Sequence, residues 1–124
     1  PRLDSSAASD VYKRQPWFYY SNIGWNYYLM GQHEEAISWF KRMYKMCEET
    51  KSNMTFPHVY LAMGYSDNGQ LDKARYHMQK ALEYDPKFNL EDRRKQISYK
   101  DPAYTEKYID ALRRAGAPEH PPSQ

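Results

Sequence analysis

From residue 17 to about residue 50, apolar positions recur at steps of three and four, and after a break the same pattern returns. Tyr20, Ile23, Tyr27 and Met30 fall on one face of a helix, and Gly31 stops it, because glycine takes positive φ at little cost. Ala36, Trp39, Phe40, Met43 and Tyr44 repeat the spacing and predict a second helix turned back on the first. Farther along, Leu61, Ala62 and Tyr65 form a stripe, Asn68-Gly69 marks a turn, and Leu71, Ala74, Met78, Ala81 and Leu82 form the returning stripe, with Pro86 beyond its end. The pattern then weakens. Asn89 is placed to cap a short helix with Leu90 and Ile97 turned inward. After Asp101-Pro102, the residues Tyr104, Tyr108, Ile109 and Leu112 predict a last helix that Gly116 and Pro118 end. The chain therefore reads as all-α, about three antiparallel helical hairpins. The third, about 89–116, is degenerate, and residues 117–124 form a frayed tail.

The first two hairpins align on each other at an offset of 38 residues: Tyr27 with Tyr65, Gly31 with Gly69, Ala36 with Ala74, and Phe40 with Met78. A fixed period of this size marks stacked units, each of which buries its apolar face against the next. The pattern resembles the tetratricopeptide repeat, an α-solenoid of helix pairs. In the first unit (about 17–50) Gly24, Tyr27, Gly31, Ala36 and Phe40 match it, and in the second (about 55–88) Ala62, Tyr65, Gly69, Ala74, Ala81 and Pro86 do. Close approach explains the small residues, and Gly24 is expected to face Ala36, with Ala62 facing Ala74. Two departures stand out in the first unit. Met43 occupies a usually small position, and Glu48 replaces the closing proline; about four extra residues near Thr50–Met54 suggest a second helix one turn longer.

The segment from His58 to Arg94, with "YKDPAYTEKYIDALRRAGAPE" after it, is similar to the C-terminal region of bacterial class III adenylate/guanylate cyclases. That resemblance spans about Trp17 to Glu119, with Ala117 where leucine is usual, and it includes no catalytic domain. It implies a regulatory or scaffolding part of a larger signalling protein. At the other end, "SSAASDVYKRQ" (residues 5–15) resembles the in-frame translation of a transposase-type sequencing adapter. Residues 1–15 are accordingly set aside as an artefact, the domain is placed at 16–119, and the authentic start is expected to lie upstream.

The charge is close to balanced, with a formal net charge of +2, and this disfavours a polyanionic partner. Cys47 is the lone cysteine, so no internal disulfide forms, which fits a reducing, cytoplasmic setting. No apolar run reaches the ~18 residues of a membrane span. His33, His58, His77 and His120 are scattered and lack the i, i+4 spacing of a helical zinc site, so neither metal nor cofactor is expected. Glu34-Glu35 suit a helix N-terminus better than acid–base catalysis, because adjacent helical residues point apart. The polar residues of the degenerate hairpin, Asp92, Arg93, Arg94, Lys95, Lys107, Arg113 and Arg114, read as the solvated face of a terminal unit.

In the resembling family the first helix of each hairpin lines a concave groove. That register turns Phe18, Asn22, Trp25 and Tyr28 inward from the first unit and Phe56, Tyr60, Met63 and Asp67 from the second. Such an aromatic surface suits a protein or peptide partner or an adjacent domain, unless the third hairpin covers it. The Lys, Asn and Arg types with which some of these grooves hold a terminal carboxylate are missing apart from Asn22. The resulting expectation is a non-catalytic protein-interaction module. Two alternatives remain: a fragment of an enzyme that contributes His58, Asp67 or Glu34 to a polar pocket, and a weak nucleic-acid binder using Arg93-Arg94-Lys95 and Lys100.

Overall fold

The computed structural model describes residues 18–97 and 102–122, and within them six helices: α1 Phe18–Leu29, α2 His33–Glu49, α3 Thr55–Asp67, α4 Leu71–Tyr84, α5 Leu90–Gln96 and α6 Pro102–Arg114. α1 and α2 form one hairpin, α3 and α4 a second, and α2 packs on α3 to join them.

The two hairpins turn in the same way at the same repeat positions. Gly31 and Gly69 sit at φ +79° and +78°. Beyond them Gln32 N–H donates to the Tyr27 carbonyl and Gln70 N–H to the Tyr65 carbonyl, both at 2.9 Å. These are Schellman motifs, in which a left-handed residue lets the chain satisfy the last carbonyls of the helix. Gly116 closes α6 identically, with Ala117 N–H on the Leu112 carbonyl at 3.0 Å. α2 ends by the same device without a glycine: Ser52 N–H reaches the Cys47 carbonyl at 2.9 Å, and Lys51 is held at φ +56°. A side chain in that region costs about 1–2 kcal/mol, partly offset by the entropy that glycine would lose. Lys51→Gly is therefore expected to stabilise the fold by about 0.5–1 kcal/mol. A higher urea midpoint would show it, and an unchanged or lower one would refute it. With 17 residues, α2 is about one turn longer than α4 with 14, which accommodates the extra residues of the first unit.

The close approach within the first hairpin differs in its partner from expectation. A Cβ on Gly24 would lie 2.8 Å from Cδ1 of Phe40, and all the nearest atoms belong to Phe40, not Ala36. The fully buried Phe40 ring needs the space. Gly64, which the repeat alignment did not single out, plays the corresponding part between the hairpins. A Cβ there would lie 2.9 Å from Ile37 and 3.5 Å from Phe40. Phe40 thus fills a slot with a glycine on each side, one on α1 and one on α3.

α3 is the central helix. Residues 57–66 are all buried, because α2, α4 and α6 surround it, and a helix apolar on all sides must be enclosed. α1 is also apolar on two faces. The expected stripe Tyr20, Ile23 and Tyr27 is only half-buried, and Met30 lies past the helix end, 61 % exposed. The buried face is instead Ser21, Gly24, Trp25 and Tyr28.

Among the described residues the stack does not extend beyond α4. Ile37 and Cys47, buried on α2, correspond 38 residues later to Arg75, exposed, and Asp85, half-buried. α4 therefore offers a polar face where α2 offers an apolar one, and it packs chiefly on α3. The last helices go elsewhere. α6 runs alongside α3 in the same direction, so that Tyr108 neighbours Tyr60 and Arg114 neighbours Asp67.

The start of α5 is tied to residues expected to fray. Leu90 N–H and Glu91 N–H donate to the carbonyls of Pro118 and Glu119 at 2.8 and 3.0 Å. The Asn89 side chain accepts from Asp92 N–H at 2.9 Å, as its capping role predicts. The first-turn donors of a helix need such partners. Ala117 is buried as well, so residues 117–119 belong to the fold.

Candidate functional site

The inner faces of α1 and α3 meet at an aromatic groove, and α6 lies in it. Trp25 and Tyr28 come from α1, with ring centroids 5.2 Å apart. Tyr60 and Met63 come from α3; Tyr60 packs on Phe40 at 5.3 Å, and Met63 is fully buried. Tyr108 of α6 enters between them, edge-on to Trp25 at 5.7 Å and 6.2 Å from Tyr60. Aromatic pairs in these geometries add about 0.5–1.5 kcal/mol beyond the area they bury.

Arg93, from α5, closes one end of the groove. Its Nε donates to the Tyr108 hydroxyl at 2.8 Å and its Nη2 to the Tyr60 hydroxyl at 3.4 Å, while the guanidinium covers the Phe56 ring at 4.8 Å. A planar cation suits this place, since it stacks on rings and donates in its own plane.

The other end is polar. The Asp67 carboxylate, with its side chain 11 % exposed, accepts from the Tyr28 hydroxyl on one oxygen and from Arg114 on the other. Arg114 also donates to the Ser66 carbonyl at 3.2 Å, so the guanidinium caps the C-terminus of α3, where the helix dipole favours a cation. Burial, and then the hydrogen bond to Asp67, push the Tyr28 phenol well above the usual tyrosine range, so it remains a donor. Lys107 stands 4.9 Å over the Tyr28 ring.

Of the residues assigned to the groove, Trp25 and Tyr60 meet Tyr108 of α6, Tyr28 and Asp67 meet at the Arg114 end, and Met63 is fully buried on α3. Phe56 is half-buried beneath Arg93, Asn22 is exposed on α1, and the Phe18 side chain lies outside the described residues. The basic residues of the degenerate hairpin are not simply a solvated face. Arg93 and Arg114 complete the groove, Arg94 pairs with Glu106, and Arg113 pairs with Glu119. The proposed basic patch is diluted accordingly, and Lys100 lies outside the described residues.

A second cluster escaped the reading of helical spacing. His58 on α3 and His77 on α4 meet Nδ1 to Nδ1 at 3.0 Å, so one ring donates and the other accepts. Tyr84 stacks on His58 and Tyr65 on His77, with Tyr44 and Tyr76 edge-on to the two imidazoles. Burial first, then the neighbouring His58 and Lys41, push His77 down to about 4; burial and then Lys80 lower His58, against the opposing pull of Glu83. The repeat offset held the signal. Subtracting 38 converts His58 and His77 into Tyr20 and Trp39, which stack at 6.2 Å in the first hairpin.

These settings keep the residues of the alternative enzymatic reading apart. His58 and Asp67 are nine residues apart on one helix, about 13 Å, and Glu34 is exposed at the start of α2. Among the described residues no three His, Cys, Asp or Glu side chains are grouped to hold a metal ion, and no helix is long and apolar enough to cross a membrane. Cys47 is buried in α2, and that burial raises its thiol pKa and leaves it unreactive.

No curated protein and no solved structure matches the chain. Two family models do, each described as a tetratricopeptide repeat, over residues 19–50 and 56–88. These spans coincide with the two hairpins that share their turns, their hydrogen bonds and their aromatic positions, and the chain belongs to the tetratricopeptide-repeat family.

Proposed function

We propose that this chain is a non-catalytic protein-interaction module and that the groove of α1 and α3 is its binding face, for a protein or peptide partner or for an adjacent domain of a longer parent. Tetratricopeptide repeats generally bind proteins. The observation that supports the assignment is the aromatic cluster in which Trp25 and Tyr28 of α1 and Tyr60 of α3 meet around Tyr108. Aromatic residues supply most of the energy at such surfaces, and a few polar groups set the register. The likeness to the C-terminal region of class III cyclases supports a regulatory place in a signalling protein. A cyclase catalytic domain encoded directly upstream is the expected finding there, and an unrelated upstream frame would remove that parent.

The groove assignment is testable in the parent cell. A photo-crosslinking residue at Asn22, exposed on α1 one turn before Trp25, is expected to capture a discrete protein or an upstream domain of the same chain. One at Arg75, exposed on the outer helix α4, is expected to capture neither. Equal adduct patterns at both positions would overturn the assignment.

A further inference from the structure

We infer that the α1/α3 groove is a receptor for an amphipathic helix and that α6 is its resident intramolecular ligand, which a partner helix of the same chemistry displaces. This rests on the interaction-module reading and specifies the partner.

The contacts of α6 differ from ordinary repeat stacking. A next repeat would build on α2-like and α4-like faces, yet α4 is polar where that unit would sit, at Arg75 and Asp85. The two tetratricopeptide matches end at residue 88, before α5 and α6 begin. α6 instead occupies the inner side, held by one aromatic anchor and one charged latch.

The latch identifies the ligand class. Asp67 is a nearly buried carboxylate whose position is fixed by Tyr28 from a different hairpin. Both groups belong to the groove, and the Ser66 carbonyl beside them adds to the negative end of α3. Together they form a cation seat that is left uncompensated without Arg114. The pair joins a nearly buried carboxylate to a half-exposed guanidinium, and such a pair is not needed for stability. It does select a partner and fix its register, because an uncharged or acidic competitor leaves the carboxylate desolvated and unpaired.

The fitting occupant can be read from α6. It is a helix with a tyrosine, a cation six residues later, and small or aliphatic residues between them on the same side. Tyr108, Ala111, Leu112 and Arg114 provide this pattern in the chain itself. The tyrosine hydroxyl meets Arg93, its ring meets Trp25 and Tyr60, and the cation meets Asp67. While α6 holds the seat, the affinity for an external helix is reduced by the fraction of molecules in which the seat is open.

The test uses the full chain and a fluorescent synthetic peptide copying residues 102–114. Wild-type protein is expected to bind it weakly. The full-chain variant Tyr108→Ala/Arg114→Ala loosens α6 but leaves the groove residues of α1 and α3 in place, and it is expected to bind at least tenfold more tightly. Replacing the arginine at the last position of the peptide by glutamate is expected to remove that gain. Equal affinity for wild type and variant, or indifference to the charge reversal, would overturn the inference. Should the variant fail to fold, hydrogen exchange on the wild-type chain decides. Excess peptide is expected to deprotect α6 while α1 and α3 stay protected, and unchanged α6 protection at saturating peptide would refute displacement. The two ideas fail separately: crosslinked partners at Asn22 without peptide exchange leave the interaction module standing and remove the self-occupied groove.

Discussion

Phe40→Ala is expected to cost about 3–5 kcal/mol of folding free energy, the usual range for truncating a fully buried aromatic side chain. The effect is large because Phe40 is shared. Its ring fills the space above Gly24 on α1, reaches Gly64 on α3, and packs on Tyr60 in the floor of the groove. Its loss opens the seam inside the first hairpin and the joint between the two hairpins together. A second substitution tests the geometry directly. In the wild-type chain Gly24→Ala drives a methyl into a fully buried ring and is expected to destabilise by about 1–3 kcal/mol. In the Phe40→Ala background the obstruction is gone, and alanine's helix preference of about 1 kcal/mol over glycine should make the same change neutral or stabilising. Urea unfolding of the four proteins gives the coupling, expected to be roughly 2 kcal/mol or more. Additive effects would show that Gly24 and Phe40 do not oppose each other.

Acidification is expected to weaken the fold through His58 and His77. The sign follows from burial. Both imidazoles are held below their ordinary value of 6.5, His77 at about 4, so the unfolded chain takes up protons that the folded chain refuses. Stability is then fully present above about pH 6.5 and falls as the pH drops toward 4, with the two rings titrating as a coupled pair. The groups facing them come from three helices: Lys41 and Tyr44 on α2, Tyr65 on α3, and Tyr76, Lys80, Glu83 and Tyr84 on α4. Allowing for partial solvent screening at His77, the loss by pH 4.5 should be about 1–2 kcal/mol. Carboxylates also contribute at low pH, so the control matters. The double substitution His58→Tyr/His77→Trp copies the Tyr20–Trp39 pair of the first hairpin and is expected to flatten this part of the profile. Urea midpoints at pH 7.5 and 4.5 for both proteins measure it. A double variant as acid-sensitive as the parent would assign the effect elsewhere.

Much of the helical plan was legible along the chain. Three-and-four spacing located both hairpins, and Gly31 and Gly69 located their turns, because helical burial and positive φ are imposed residue by residue. Asn89 was readable as a cap for the same local reason. The groove residues Trp25, Tyr28, Tyr60, Met63 and Asp67 came from the register of the resembling repeat family, whose first helices line the groove, and not from spacing alone. Other features escaped. The stripe expected on α1 ran through Met30, which is exposed, because a helix apolar on two faces does not disclose from its spacing which face is covered. Gly24 is expected to face Ala36, yet its nearest neighbour is Phe40, because the reach of that ring depends on where two helices cross.

By itself, the sequence determined the helices and their pairing into two repeats. These are consequences of local periodicity and of which side chains tolerate burial. Only the tertiary structure decided that α6 lies in the groove, that Arg114 finds Asp67, and that His58 finds His77. Those contacts join residues 47 and 19 positions apart. At such separations the partner is chosen by how packed helices are juxtaposed, which no spacing along a single helix encodes.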